Sequence, residues 1–254
     1  MIVLIVINQR IDSWEEKGEL LENYFNKHKL FKKIYIISLL KSDNPSKSTL
    51  ITLCGSKQFK FIKLKAKIFQ LKIIKYLLPL SFYKILILNN LEQFNIDKPD
   101  IIKSVGDGFS GFIGSIIANH YNVNLFISIH TFVSPKIFFL YMNLKEKINF
   151  LLERRFTKIS HNSAKRIFIV YEKIKNNISK NNIKKVNILY NNVLYKEKFQ
   201  KKSFKIKNKL KLVYVGRLIK GKSPEIIIKS LDKFKNSNLT IYGDGPERNT
   251  LERL

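Results

Sequence analysis

Apolar residues in this chain fall into short unbroken runs, separated by stretches in which they recur every three or four positions. The first run, Ile-Val-Leu-Ile-Val-Ile at residues 2–7, contains no polar break. A strand with one wet face alternates apolar and polar residues, whereas a strand covered on both faces reads as a continuous apolar run. KIYIISL (33–39), DIIKSV (100–105), NVNLFISI (122–129), RIFIV (166–170) and VNILY (186–190) share that strand character. Between them, GELLENYFNKHKL (18–30) sets Leu21, Tyr24, Phe25 and His28 at helical spacing. GFIGSIIANHY (111–121) and FFLYMNLKEKINFLLERRF (138–156) also read as helices, as does the segment joining the last two strands. Strands alternating with helices predict an α/β fold built on a doubly wound parallel sheet.

The pattern lapses over YKEKFQKKSFKIKNKL, which is rich in lysine and has no clear period. A second α/β unit follows: strand LKLVYV, turn GRLIKGKS, helix PEIIIKSLDKF, strand NLTIYG, turn DGPE and helix RNTLERL. Two strand–helix pairs fall short of the ~100 residues that a doubly wound domain needs. The expected division is a first domain over 1–195, a linker over 196–210, and the incomplete beginning of a second Rossmann-like domain over 211–254. Missing strands and helices would leave Val213, Ile226 and Ile241 uncovered.

Composition narrows the function classes. At 45% hydrophobic the chain can bury a core, which argues against disorder. Its one cysteine, Cys54, excludes a disulfide framework and fits a reducing, cytoplasmic setting. The opening MIVLIVI lacks a basic leader segment and reads as a first buried strand. No run reaches the ~18 apolar residues of a membrane span. The net charge of +28 invites a nucleic-acid reading, but only seven of the 47 basic residues are arginine. Arginine is the side chain that forks onto phosphates and bases. The lysines travel with abundant Ile, Asn and Phe, all encoded by AT-rich codons, so compositional drift accounts for the charge and no nucleic-acid partner is expected. KQFKFIKLKAKIFQLKIIK (57–75) holds seven lysines, no acid and many interleaved apolar residues. It has two readings: a lysine-fringed strand and a helix packed on the sheet, or a peripheral surface lying on an anionic membrane leaflet.

Three motifs bear on chemistry. Gly216 to Ser223, GRLIKGKS, satisfies the phosphate-cradling pattern G-x-x-x-x-G-K-[ST]. Pro224 removes an amide donor where such a loop needs a running helix, and no following strand ends cleanly in an Asp to hold Mg²⁺. Gly106 to Gly111, GDGFSG, is a literal G-x-G-x-x-G, but the next strand ends at Ile129-His130-Thr131 where a dinucleotide site shows an acid. It reads as a glycine turn that brings backbone up to a ligand cleft. His130 closes a strand, where ligands bind in open α/β sheets; a structural role is the competing reading.

The second-unit segments VYVGRLIKGKSPEIIIKSL and LTIYGDGPERNTLERL resemble the start of the second domain of GT-B glycosyltransferases of the retaining family-four type. Gly216, Arg217, Leu218 and Lys222 fall on that family's G-R-L…K motif, and Gly243, Asp244, Gly245 and Pro246 on its G-x-G-P motif. Ser223 stands where the family usually has glycine, and this is what creates the apparent P-loop. Asn191, Val193 and Phe199 match the family's segment before the second domain, with Asn192 in place of glycine. KPDIIKSVGDGFSG and LFISIHTF resemble its first-domain segments.

The resemblance implies a transferase moving a sugar from a nucleotide-diphosphate sugar to a glycan or lipid-linked acceptor, in polysaccharide, lipopolysaccharide or glycolipid assembly, with no metal. Arg217 and Lys222, with Gly216, would hold the donor diphosphate. His130 would face the donor sugar, and Gly18, Gly106, Gly108 and Gly111 would line the cleft. The family's E-x7-E pair has no counterpart here, so a truncated and weakly active or inactive enzyme is expected. A non-catalytic remnant that binds a partner or membrane, and a basic nucleic-acid-binding protein, are the alternatives.

Overall fold

Residues Ile2–Ile7 (β1) form an interior strand of a seven-stranded, wholly parallel sheet. The other strands are Lys33–Ser38 (β2), Phe59–Lys63 (β3), Ile101–Val105 (β4), Asn124–Ile129 (β5), Arg166–Ile169 (β6) and Val186–Ile188 (β7). Their order is β3-β2-β1-β4-β5-β6-β7. The sheet grows one way from β1 to β3, then restarts on the other side of β1, which puts the topological switch between β1 and β4. The doubly wound α/β fold expected from the sequence is thus observed. This computed structural model describes residues 1–16, 20–64, 77–131, 143–190, 210–234 and 236–254. The chain divides into two compact units, Met1–Asn192 and Val193–Leu254.

The unbroken apolar run of β1 follows from having two covered faces. Leu4 and Val6 join Tyr35, Ile37, Ile102 and Ile127 in one apolar layer, while Val3, Ile5 and Ile7 join Ile34 and Ile36 in the other. The first layer lies under helices Leu80–Gln93 (α3), Phe109–Tyr121 (α4) and Leu144–Ser163 (α5). Tyr83 of α3 meets Phe109, Phe112 and Phe156 edge-on at centroid distances of 5.8, 5.4 and 5.7 Å, which locks these helices together. The second layer is closed by Ile11, Phe25 and the helix Lys47–Cys54 (α2), beside a short helix Asp12–Glu16 (α1). Full burial of each such side chain contributes ~1.5–3 kcal/mol. No helix among the described residues is long and apolar enough to cross a membrane.

Three expectations need correction. Residues 20–31 form turns and not a helix, with Asn23 and Lys29 at φ 56° and 52°. The Asn26 side chain donates to Phe31 O at 2.9 Å and accepts from Phe31 N at 3.0 Å, so an amide replaces the backbone partner that a helix would use. The segment between β6 and β7 is two 3-10 stretches, Glu172–Asn177 and Lys180–Lys185, again rich in asparagine. α5 runs on to Ser163 from an Asn143–Glu146 capping box, while residues 138–142 lie outside the described residues.

In 57–75, the part up to Leu64 is the edge strand β3 and its exit, with Ile62 and Leu64 buried; residues 65–75 lie outside the described residues.

In the second unit, Leu210–Val215 (β8) and Ser237–Tyr242 (β9) pair in parallel, with helices Pro224–Ser230 (α6) and Arg248–Leu251 (α7). Val213 and Ile226 are 61% and 63% exposed, whereas Ile241 is half-buried on the face it shares with Leu212 and Leu239. The expected linker, apart from Leu210, lies outside the described residues.

Candidate functional site

The carboxyl ends of β4, β5 and β6 gather the chemistry of the first unit. Beyond β4 the chain turns through Gly106, Asp107 and Gly108 into α4. Gly106 has φ +97°, a region that favours glycine, and its N–H donates to Ser128 O on β5 at 2.8 Å. Gly111 permits close helix packing: a Cβ there would stand 2.8 Å from Ser160 Cβ on α5. The start of α4 is already engaged, because Phe109 N donates to Glu153 Oε1 at 3.3 Å. A carboxylate at that amide opposes a pyrophosphate there. His130 sits half-buried at the end of β5, two residues past Ser128. Gly18 lies outside the described residues. Earlier in the chain, the start of α1 is pinned by Asp43, whose Oδ1 accepts from Ile11 N at 2.8 Å and Asp12 N at 3.3 Å. Burial pushes the Asp43 carboxyl up, and its hydrogen bond from Ser38 opposes that shift.

Sequence reasoning passed over two side chains at this edge. His161, near the end of α5, is almost wholly buried, and its Nε2 lies 2.9 Å from Asp107 Oδ2. The Ser160 hydroxyl donates to Asp107 O, and Lys185 Nζ donates to the carbonyls of His161 and Asn162 at 3.0 and 2.8 Å. Asp107 thereby joins the β4 turn to α5. It stood inside a motif read only for its glycines, and a histidine late on an amphipathic helix gives no signal by itself. The pair borders a cavity of about 890 Å³, whose wall also includes Ile129, Thr131 and residues of the 3-10 stretch after β6.

In the second unit the two glycine motifs meet backbone to backbone. Gly216 N donates to Tyr242 O at 3.0 Å, Leu218 N to Asp244 O at 2.9 Å, and Glu247 N back to Leu218 O at 3.1 Å. A Cβ on Gly243 would lie 2.0 Å from Gly216 O, and one on Gly245, which has φ +157°, would lie 2.4 Å from Leu218 O. Pro246 carries the chain onward to α7. The loops after β8 and β9 are therefore one body at the carboxyl edge, with Arg217 exposed between the two anchored residues. Lys222 ends a short 3-10 turn and is also exposed. Neither side chain is in an ion pair among the described residues, whereas Asp244 lies 3.8 Å from Arg248. Ser223 adopts φ 47° and ψ 47°, the left-handed conformation that glycine takes without strain. The helix begins only at Pro224, so Lys222 and Ser223 precede it, unlike in a P-loop. No group of three or more His, Cys, Asp or Glu placed to hold a metal occurs among the described residues.

No family model matches this sequence, and no curated protein matches it. Solved structures do. UDP-GlcNAc 2-epimerase from Neisseria meningitidis, bound to UDP-GlcNAc, is similar at 14% identity and a TM-score of 0.47, over 95% of this chain. The chain spans 65% of that enzyme's length. UDP-GlcNAc 2-epimerase from Methanocaldococcus jannaschii is similar at 13% identity and a TM-score of 0.45, over 100% of this chain and 68% of that one. The catalytic domain of starch synthase IV from Arabidopsis thaliana, bound to ADP and acarbose, is similar at 10% identity and 0.44, over 99% and 70%.

Proposed function

We propose that the protein is a glycosyltransferase of the GT-B type, using a nucleotide-diphosphate sugar and a glycan or lipid-linked acceptor. The observation that supports this reading is the pair of interlocked glycine loops in the second unit, which carry Arg217 and Lys222 outward with no counter-ion among the described residues. A diphosphate presents several anionic oxygens close together. Arg217 forks onto two of them, and Lys222 adds a compact charge. Such charge-assisted hydrogen bonds contribute ~1.5–3 kcal/mol each. They hold the donor and also stabilise the leaving diphosphate as charge develops on it, so no metal is invoked. His130 is assigned to the donor sugar, and the Gly106–Gly111 turn and Gly18 to the cleft wall. The carboxylate pair that the motif resemblance places on the donor has no counterpart here, so we expect these 254 residues to bind a nucleoside diphosphate with little or no sugar transfer.

Calorimetric titration of UDP, ADP and GDP tests the assignment. At least one should bind, and Arg217→Ala and Lys222→Ala should each weaken it about tenfold or more. Equal affinity in parent and variants refutes the donor site. Strong Mg²⁺-ATP binding that Lys222→Ala alone abolishes would restore the P-loop reading.

A further inference from the structure

We infer that the exposed face of the β8–β9 sheet is a docking surface for an amphipathic helix of another polypeptide, apolar on the side it presents and acidic along its flanks. The register pairs Val213 with Thr240 and Val215 with Tyr242, so these four side chains share one face of the parallel pair. Lys211 and Asn238, paired in turn, stand behind them on the same face. Val213, Val215 and Tyr242 are 61%, 76% and 62% exposed, whereas Leu212, Leu239 and Ile241 on the opposite face are half-buried.

Single exposed apolar residues are ordinary, but here three adjoin on one side of a parallel sheet. Parallel strands occur almost only with both faces covered, and the cover is helical. The strand edges narrow the choice further. Leu210 N donates to Asn236 O and Gly216 N to Tyr242 O, so the even-numbered amides of β8 point at β9. Those of Lys211, Val213 and Val215 point the other way, to an edge that no strand closes among the described residues. A lipid surface pressed onto this face would take those free backbone groups out of water with nothing to pair them. A helix lying over the side chains leaves the edge wet.

Charge sets the flanks of that helix. The face carries Lys211 and no acid, and Arg217, Lys220 and Lys222 stand exposed in the loop that follows β8. The chain as a whole has a net charge of +28. A second copy would bring the same charge to the contact and be repelled, whereas an acidic helix is drawn to it.

The test uses the whole chain with valine methyl groups labelled for NMR. The probe is a peptide of about 18 residues, long enough to hold a helix, with leucines along one face and glutamates along the other. A second peptide carries lysine in place of every glutamate. At ~100 μM the acidic peptide should shift the Val213 and Val215 methyls and leave Val3 and Val6, in the first unit's core, unmoved. Val215→Glu should weaken that binding at least tenfold, because it removes an apolar contact and sets a like charge against the peptide. The Val3 and Val6 resonances report whether the variant keeps its fold. The lysine peptide should produce no shift. Silence with the acidic peptide overturns the inference, as do equal shifts with the lysine peptide or undiminished binding by folded Val215→Glu. Two other occupants would overturn it as well. Anionic vesicles that move the same methyls in place of the peptide would assign the face to a membrane. Methyl shifts on concentrating the chain alone, with a sedimenting mass that doubles, would assign it to a second copy.

Discussion

Gly243→Ala should pull apart the two loops that hold Arg217. The added Cβ would start 2.0 Å from Gly216 O, and ordinary contact begins at 3.4 Å, so the loops must separate by about 1.4 Å. The Gly216 N–Tyr242 O and Leu218 N–Asp244 O bonds, now 3.0 and 2.9 Å, would then pass out of hydrogen-bond range. Each contributes ~0.5–1.5 kcal/mol, so the expected loss is ~1–3 kcal/mol, or ~5- to 150-fold in the local opening equilibrium. Amide exchange followed by NMR reads this directly at Gly216 and Leu218. Gly221→Ala is the control, because a Cβ there meets nothing within 4 Å and the change also removes glycine's excess freedom from the unfolded chain. Gly243→Ala should speed exchange at both amides and weaken diphosphate binding in parallel; Gly221→Ala should do neither. Unchanged exchange in Gly243→Ala, or an equal loss in Gly221→Ala, would show that the tight approach of these loops does not hold them.

Three further outcomes follow from the first unit. Lys103 lies mid-sheet between Ile5 and Phe126, 5.8 Å from the Tyr24 ring centroid, and burial lowers its pKa below the usual 10.5. Below the lowered value both native and unfolded chains carry the proton and the native state bears the whole desolvation penalty, so stability should rise with pH as the window up to 10.5 is crossed. Lys103→Met should therefore be more stable by ~1–3 kcal/mol at neutral pH, with the gap to the parent closing in alkaline urea melts; a less stable variant at neutral pH contradicts this. Gly111→Ala should destabilise by ~1–3 kcal/mol, because its Cβ meets the helix-anchored Ser160, while Gly108→Ala meets only the movable Glu153 carboxylate and should lose less in the same melts. If residues 57–75 lie on a membrane, the chain should sediment with anionic vesicles at low salt, and Lys63, Lys65, Lys67 and Lys72→Glu should abolish this at ~1 kcal/mol per lysine; a parent that ignores such vesicles leaves only the packing role.

The apolar runs were enough to place six of the seven strands of the large sheet, most clearly β1 and β2, whose burial on both faces leaves a sequence signature that local competition cannot hide. Leu4 and Ile5 must both be apolar, whichever way each points. Helices were less legible where asparagine supplied its own hydrogen bonds, as at Asn26 and Asn182, or took the left-handed conformation, as at Asn23. α2 and α3 escaped notice, since α3 hides an inward face of Tyr83, Ile87 and Leu91 among outward-facing Phe82 and Ile85. At the site, glycines could be read from sequence because turns demand them at fixed spacing. The Asp107–His161 pair could not, because it joins residues 54 apart whose meeting depends on how α5 crosses the turn.

The strand order also has a temporal side. Ile2 N is held by Asp100, 98 positions downstream, and the second edge of β1 is closed only by β4. At ~5–20 residues per second, a ribosome leaves that edge open for roughly 5–20 s after β1 emerges. Residues 2–7 are six strand-forming apolar side chains with no charge, proline or glycine, the composition of a segment that stacks on copies of itself. In the finished protein Val3–Ile7 are fully covered, so the folded surface gives no warning of the hazard. The vulnerable species is the nascent chain, and its yield should depend on the spacing of ribosomes along the message.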